Sequence, residues 1–308
     1  MNVVHSRAGH LALFAGLALA LHPARAAAAL KVVTTIEGLR ALVSEVGGDR
    51  ADVVSLSRST QDPHFLDANP TLAVKLRHAD LLVDVGLQLE DDWLPLLVNQ
   101  SRNSEIQPGS ARRLTAAQAV SVLEVPVGPV DRSQGDMHAA GNHHFLSDPR
   151  RALKVAEAIG AKLTALDPAG ATTYQARLAD FRTRLEADQA RWLAALAPLR
   201  GERLVTQHRS LSYFFDWSGL APAGYLEPKP GAPTPPSHLA EIVQLVRRQH
   251  VKAIVIEGYY DTKPAELVAK LTGARVLVIP GDVGWMPQTK SYQGYIDTLV
   301  RGMAEALR

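Results

Sequence analysis

Three histidines, His64, His144 and His208, lie far apart in the chain, each in a short polar turn: Asp62-Pro63-His64-Phe65, Asn142-His143-His144-Phe145 and Thr206-Gln207-His208. Neutral imidazole is a common ligand of zinc and related divalent ions. Three imidazoles with one carboxylate fill a tetrahedral or slightly expanded shell. A candidate carboxylate, Asp282, sits in a fourth turn, Pro280-Gly281-Asp282-Val283-Gly284. Glu257 is the spare, either as a ligand in place of Asp282 or as an acceptor for an imidazole N–H. His78, His238 and His250 fall on or beside helical segments and read as surface histidines.

Such ligands meet only if the fold gathers the turns. Short runs rich in Val, Ile and Leu predict strands at Leu30 to Thr34, Asp52 to Ser55, Asp80 to Val85, Arg203 to Thr206, Ala253 to Ile256 and Arg275 to Ile279. Amphipathic stretches between them predict helices at Glu37 to Val46, Pro70 to Arg77, Trp93 to Gln100, Pro149 to Leu166, Pro236 to Gln249 and Pro264 to Leu271. Several strands are apolar almost throughout, as in parallel sheets covered on both faces. The alternation predicts an α/β fold with mainly parallel sheets flanked by helices. The candidate ligands then follow the carboxyl ends of strands, where open α/β folds bind ligands.

One interval breaks the alternation. Asp148-Pro149 is a helix start with an aspartate cap and proline at the first position, and Asp167-Pro168 is a second. From there to Ala197 an apolar stripe of Tyr174, Leu178, Phe181, Leu185, Trp192 and Leu196 recurs at helical spacing. A helix over 168–197 spans roughly 40 Å at ~1.5 Å per residue. It predicts a rigid spine between an N-terminal lobe over 27–167 and a C-terminal lobe over 198–308. The run Glu227-Pro228-Lys229-Pro230-Gly231-Ala232-Pro233-Thr234-Pro235-Pro236 reads as a stiff loop within the second lobe, a possible contact for a membrane partner.

Residues 1–26 read as a secretory leader. Arg7 precedes an apolar run from Leu11 to Leu21, and Ala24-Arg25-Ala26 ends in a small-x-small cleavage pattern. The run falls short of the ~20 residues a membrane span requires. Of 33 basic residues two, Arg7 and Arg25, lie in this leader, and the remaining 31 balance the 31 acidic ones. A neutral mature chain with no Lys/Arg stripe gives no electrostatic support to nucleic-acid binding. The absence of cysteine removes both a disulfide framework and a lipid-attachment thiol. A soluble, monomeric, periplasmic protein is expected.

Four motifs in this order resemble those of the periplasmic solute-binding proteins of zinc and manganese ABC transporters, over essentially the whole mature chain. Asp62-Pro63-His64 matches an Asp-Pro-His turn. Asn142 to Pro149 matches Asn-Pro-His-x-x-x-Asp-Pro, with His143 in place of the first proline. His208 with Tyr213-Phe214 matches a strand-end ligand followed by Tyr-Phe, and Asp282 matches a late aspartate. His143 is an alternative ligand to His144; the spacing to Asp148-Pro149 favours His144. The resemblance implies two lobes bridged by a long helix, one metal ion between them, and an inner-membrane permease as partner. It also implies a metal. Manganese carriers of the family use two histidines and two carboxylates and zinc carriers three histidines, so His208 points to Zn²⁺ ahead of Mn²⁺. A long His-rich acidic loop, common among zinc carriers, is missing; Met137-His138 and His143 come nearest to it.

Other classes stay open. A three-histidine zinc site with a free position would make a metal hydrolase, but no His-Glu-x-x-His or Gly-x-Ser-x-Gly motif accompanies these residues. A carrier of a metal chelate would not need three convergent histidines. The sequence is read as that of a carrier, not an enzyme.

Overall fold

The computed structural model describes residue 1 and residues 28–128 and 138–308. Residues 2–26 of the predicted leader lie outside the described residues. The first sheet comprises β1 (Leu30–Thr34), β2 (Ala51–Ser55), β3 (Leu81–Asp84) and β4 (Arg113–Thr115), in the order β2-β1-β3-β4. The second comprises β5 (Arg203–Thr206), β6 (Ala221–Tyr225), β7 (Ala253–Glu257) and β8 (Arg275–Ile279), in the order β6-β5-β7-β8. Every pairing is parallel. The two sheets therefore repeat one topology, with the strand order reversing beside β1 in one and beside β5 in the other. The crevice in which open α/β sheets bind ligands, outside the carboxyl ends of the strands at the reversal, arises once in each lobe.

The helices are α1 (Glu37–Gly47), α2 (Pro70–Arg77), α3 (Leu94–Ser101), α4 (Pro149–Leu166), α5 (Ala171–Leu196), α6 (Ser212–Ser218), α7 (Pro236–Gln249), α8 (Lys263–Thr272) and α9 (Tyr292–Leu307). Asp148 caps α4 by accepting from the Arg150 N–H, as its sequence predicts. The α-helical spine is 26 residues, shorter than 168–197 because Pro168–Gly170 and Ala197–Leu199 wind as 3₁₀ turns at its two ends. Two strands and two helices exceed the sequence reading. β4 has only three residues, β6 is a proline- and glycine-interrupted APAGY, and α6 is seven residues long, all too short to show a period. α9 carries a plain helical stripe, Tyr292, Ile296, Leu299, Val300 and Met303, which the strand-and-crossover reading leaves unassigned.

α5 binds both lobes. Tyr174, Phe181, Leu185, Trp192 and Leu196 are buried along one stripe, each side chain worth about 1.5–3 kcal/mol of burial. They join one core with Val32, Leu39 and Leu42 of the first lobe and Leu204, Tyr213 and Leu299 of the second. Polar contacts divide the same way. Near its start Arg177 donates to the carbonyls of Ser44 and Glu45 of α1, and at its middle Arg184 pairs with the Glu45 carboxylate. Near its end, Arg191 and the Trp192 indole N–H both donate to Asp297 of α9. Smaller cores, around Leu76, Trp93 and Leu97 and around Val246, Ile254 and Val268, fill the outer sides of the two lobes.

Candidate metal centre

His64 is placed by the turn after β2. Asp62 caps a 3₁₀ turn over Pro63–Phe65, accepting from the His64 backbone N–H at 3.0 Å, and the same oxygen lies 2.7 Å from His64 Nδ1. One carboxylate thus fixes both the backbone and the ring, and Nε2 is left buried with no partner. Trp93 donates to the Pro63 carbonyl at 3.0 Å and holds the turn from behind.

His144 is held by Asn142, whose Oδ1 accepts from the His144 N–H at 2.9 Å. The Asn142 amide nitrogen reaches across to the Arg209 carbonyl at 2.9 Å, so this clamp ties the first lobe to the second. Tyr213, of the Tyr-Phe pair, donates to the Asn142 carbonyl at 2.5 Å and accepts from Leu123 N–H at 2.9 Å. That gives a positional reason for a tyrosine five residues after His208. The His144 Nε2 atom is also buried without a partner.

His208 leaves β5 directly, its carbonyl fixed by Thr206 Oγ1 at 2.8 Å. Its Nδ1 lies 2.8 Å from Glu227, a residue two positions past β6 that the sequence reading notes only as the head of the proline-rich loop. The Glu227 carboxylate also accepts from the Gly231 N–H at 3.2 Å, and Thr234 donates to the Leu226 carbonyl at 3.0 Å. These two bonds tie the loop back to the end of the preceding strand, where it buttresses a histidine. The sequence signal was a lone glutamate after a strand-like segment.

The structure brings the three sequence-chosen histidines together: one ring nitrogen from each of His64, His144 and His208 lies within 4.8 Å of the others. Ring centroids are 5.9, 5.6 and 5.2 Å apart. Metal–nitrogen bonds of about 2.0–2.1 Å at tetrahedral angles would place imidazole centroids about 5 Å apart, so only a small contraction separates the rings from a coordination shell. Asp282 joins no such group among the described residues. Its carboxylate accepts from the N–H of Gly38 at 3.2 Å and of Val283 at 2.7 Å, across a cavity of about 70 Å³ lined also by His143, His144, Glu257 and Tyr295. Glu257 ends β7, accepts from Ser210 and keeps its second oxygen buried without a partner. His78, His238 and His250 lie elsewhere, at the end of α2, on α7 and at the end of α7.

Electrostatics divide the imidazoles. Burial, then the neighbouring rings, hold His143 and His144 well below the ordinary histidine range, and His138 at about 4 for the same reasons. These rings are neutral at pH 7, with lone pairs available. Burial also pulls His208 down, but Glu227, then Glu257 and Asp62, outweigh it and hold its imidazolium above the ordinary value. Burial raises Glu257, and it raises Asp282 to about 7 against the opposing N–H groups of Val283 and Gly38.

The two lobes of the α/β fold thus bring three imidazoles, from three separate turns, to face one another. The chain belongs to the family described as zinc-uptake complex component A, periplasmic, whose model matches residues 32–306. The zinc-binding lipoprotein AdcA of Streptococcus pneumoniae is 24% identical over 280 residues, 89% of this chain and 54% of AdcA. The chain thus spans about half the length of that relative. The iron-binding protein YfeA of Yersinia pestis is 26% identical over 297 residues, 92% of this chain and 89% of YfeA. The manganese ABC transporter substrate-binding lipoprotein PsaA of Streptococcus anginosus is 25% identical over 248 residues, 79% of this chain and 77% of PsaA. A crystal structure of ZnuA, 21% identical, superposes with a TM-score of 0.76 over 91% of this chain and all of that one. At that identity the likeness is one of fold. The printed names of these relatives cover three metals, zinc, iron and manganese. No described helix is long and apolar enough to cross a membrane.

Proposed function

We propose that this protein carries zinc in the periplasm and delivers it to an ABC permease in the inner membrane, holding the ion with His64, His144 and His208 and closing the shell with Asp282. The observation that supports this reading most is the convergence of three imidazoles from three turns, two of them aimed by a carboxylate at Nδ1. A histidine held this way presents Nε2 as a fixed, more basic ligand. Three nitrogen donors favour zinc over manganese, which prefers carboxylate and carbonyl oxygen.

Asp282 ligates by leaving the Gly38 and Val283 N–H groups for the cavity it already borders. A closed four-ligand shell leaves no position for an attacking water and suits transport. The common core along α5 resists wide lobe rotation, so binding orders the turns around His144 and Asp282 more than it swings the lobes. The test is metal analysis of protein purified from the periplasm without added metal, with zinc and manganese titrations of the wild type and His208→Ala. Copurified zinc, tight zinc binding and its loss on substitution are expected. Copurified manganese, or a His208→Ala variant that binds zinc as well as the wild type, would overturn the reading.

A further inference from the structure

Two cleft histidines have no part in that site. His143 is 5% exposed with neither ring nitrogen partnered, and His138 Nε2 is likewise buried and unpartnered. Burying an unpaired polar atom costs free energy, and two more imidazoles in that condition beside a metal site call for a ligand of their own. With His64 they form a second trio whose nitrogens all lie within 4.8 Å of one another. Its ring centroids are 5.7, 4.8 and 4.6 Å apart, which brackets the spacing of about 5 Å that tetrahedral zinc demands, whereas those of the first trio all lie above it.

We infer that His64, His138 and His143 form a second holding position for a divalent transition-metal ion, occupied in alternation with the His64–His144–His208 position. The alternation follows from His64. Its Nδ1 is committed to Asp62, which leaves one nitrogen for metal, and that nitrogen cannot ligate two ions at once. One ion therefore has two addresses. The first trio has two rings braced by carboxylates, through Asp62 and Glu227. In the second, His64 alone is braced by a carboxylate among the described residues, and His143 has no orienting partner at either nitrogen. Loss of such bracing lowers metal affinity about 10–100-fold, so the second position is the weaker. The His143 and His144 rings are 4.0 Å apart, and a metal passes between the positions by exchanging two neighbouring ligands while His64 stays bound.

This inference rests on the carrier reading, and one set of variants separates the two. The probe is Zn²⁺ competed against a chromogenic chelator, with X-ray absorption to count imidazole ligands. Wild type is expected to bind one zinc. His144→Ala/His208→Ala, which keeps the second trio, is expected to bind one zinc about 10–100-fold more weakly through three imidazoles, and adding His138→Ala to abolish it. Loss of all zinc binding in the double variant, with the circular dichroism and melting of the metal-free wild type, would overturn the second position and leave the carrier reading standing. Unchanged affinity in the double variant would overturn the first site. Should the double variant not fold, His208→Ala is compared with His208→Ala/His138→Ala. A further loss of tenfold or more supports the second trio, and equal affinities reject it.

Discussion

Glu227 holds His208 Nδ1 at 2.8 Å in a buried pair, so the one described imidazole with a raised pKa is also aimed by a carboxylate. The carboxylate makes the ring a better ligand and at the same time a better base. Glu227→Gln keeps the shape and removes the charge. Zinc affinity at pH 8 is expected to fall about 10–100-fold, read by chelator competition, with the fold retained by circular dichroism.

The same pair sets the pH dependence. A protonated imidazole cannot ligate, so metal and proton compete for His208. Its pKa is held above the ordinary value, so the competition begins above that value as pH falls, and affinity drops about tenfold per pH unit for each proton displaced. His144, held well below the ordinary range, is already neutral and adds no proton there. Asp282, at about 7, adds a second proton below neutrality if it is a ligand. Zinc titrations from pH 8 to 5 should steepen from one proton toward two, and Glu227→Gln should move the fall to lower pH. An affinity constant across that range would refute the three-histidine shell.

The carboxylate that closes the shell can be told by substitution. Asp282→Ala is expected to weaken zinc binding at least tenfold, since a ligand is lost. Glu257→Gln, if that group only neighbours His208, should cost less than tenfold. Reversal of the two effects would make Glu257 the fourth ligand and leave Asp282 a clasp on the start of α1.

Stability should depend on the spine as a whole. Phe181 has no exposed surface and sits in the core shared by both lobes. Phe181→Ala is expected to cost about 3–5 kcal/mol in denaturant unfolding of the metal-free protein. Both lobes should be lost in one transition, and separate transitions for the two would contradict a common core.

Solution scattering offers a check on the stiffness of that core. Metal-free and zinc-loaded protein should give nearly superposable profiles, because α5 is anchored to α1 by Arg177 and Arg184 and to α9 by Arg191 and Trp192. A large change in the radius of gyration on loading would reject closure by local ordering.

The chain's local chemistry fixed most of the elements and three of the residues at the centre. Hydrophobic runs mark six of the eight described strands because parallel strands covered on both faces leave no polar alternation to confuse. The Asp-Pro-His and Asp-Pro turns declare themselves because cap and proline act within a few residues. The long helix shows because its stripe persists for seven turns. What sequence could not decide is anything set between distant segments. That both sheets share one strand order, that Glu227 rather than a nearer acid braces His208, that Tyr213 clamps Asn142 and Leu123, and that His138 and His143 meet His64 all depend on contacts across 19 to 90 residues. A turn specifies its own dihedrals. Only the packing of both lobes on one helix determines which turns face each other across the cleft, and therefore which nitrogens can share an ion.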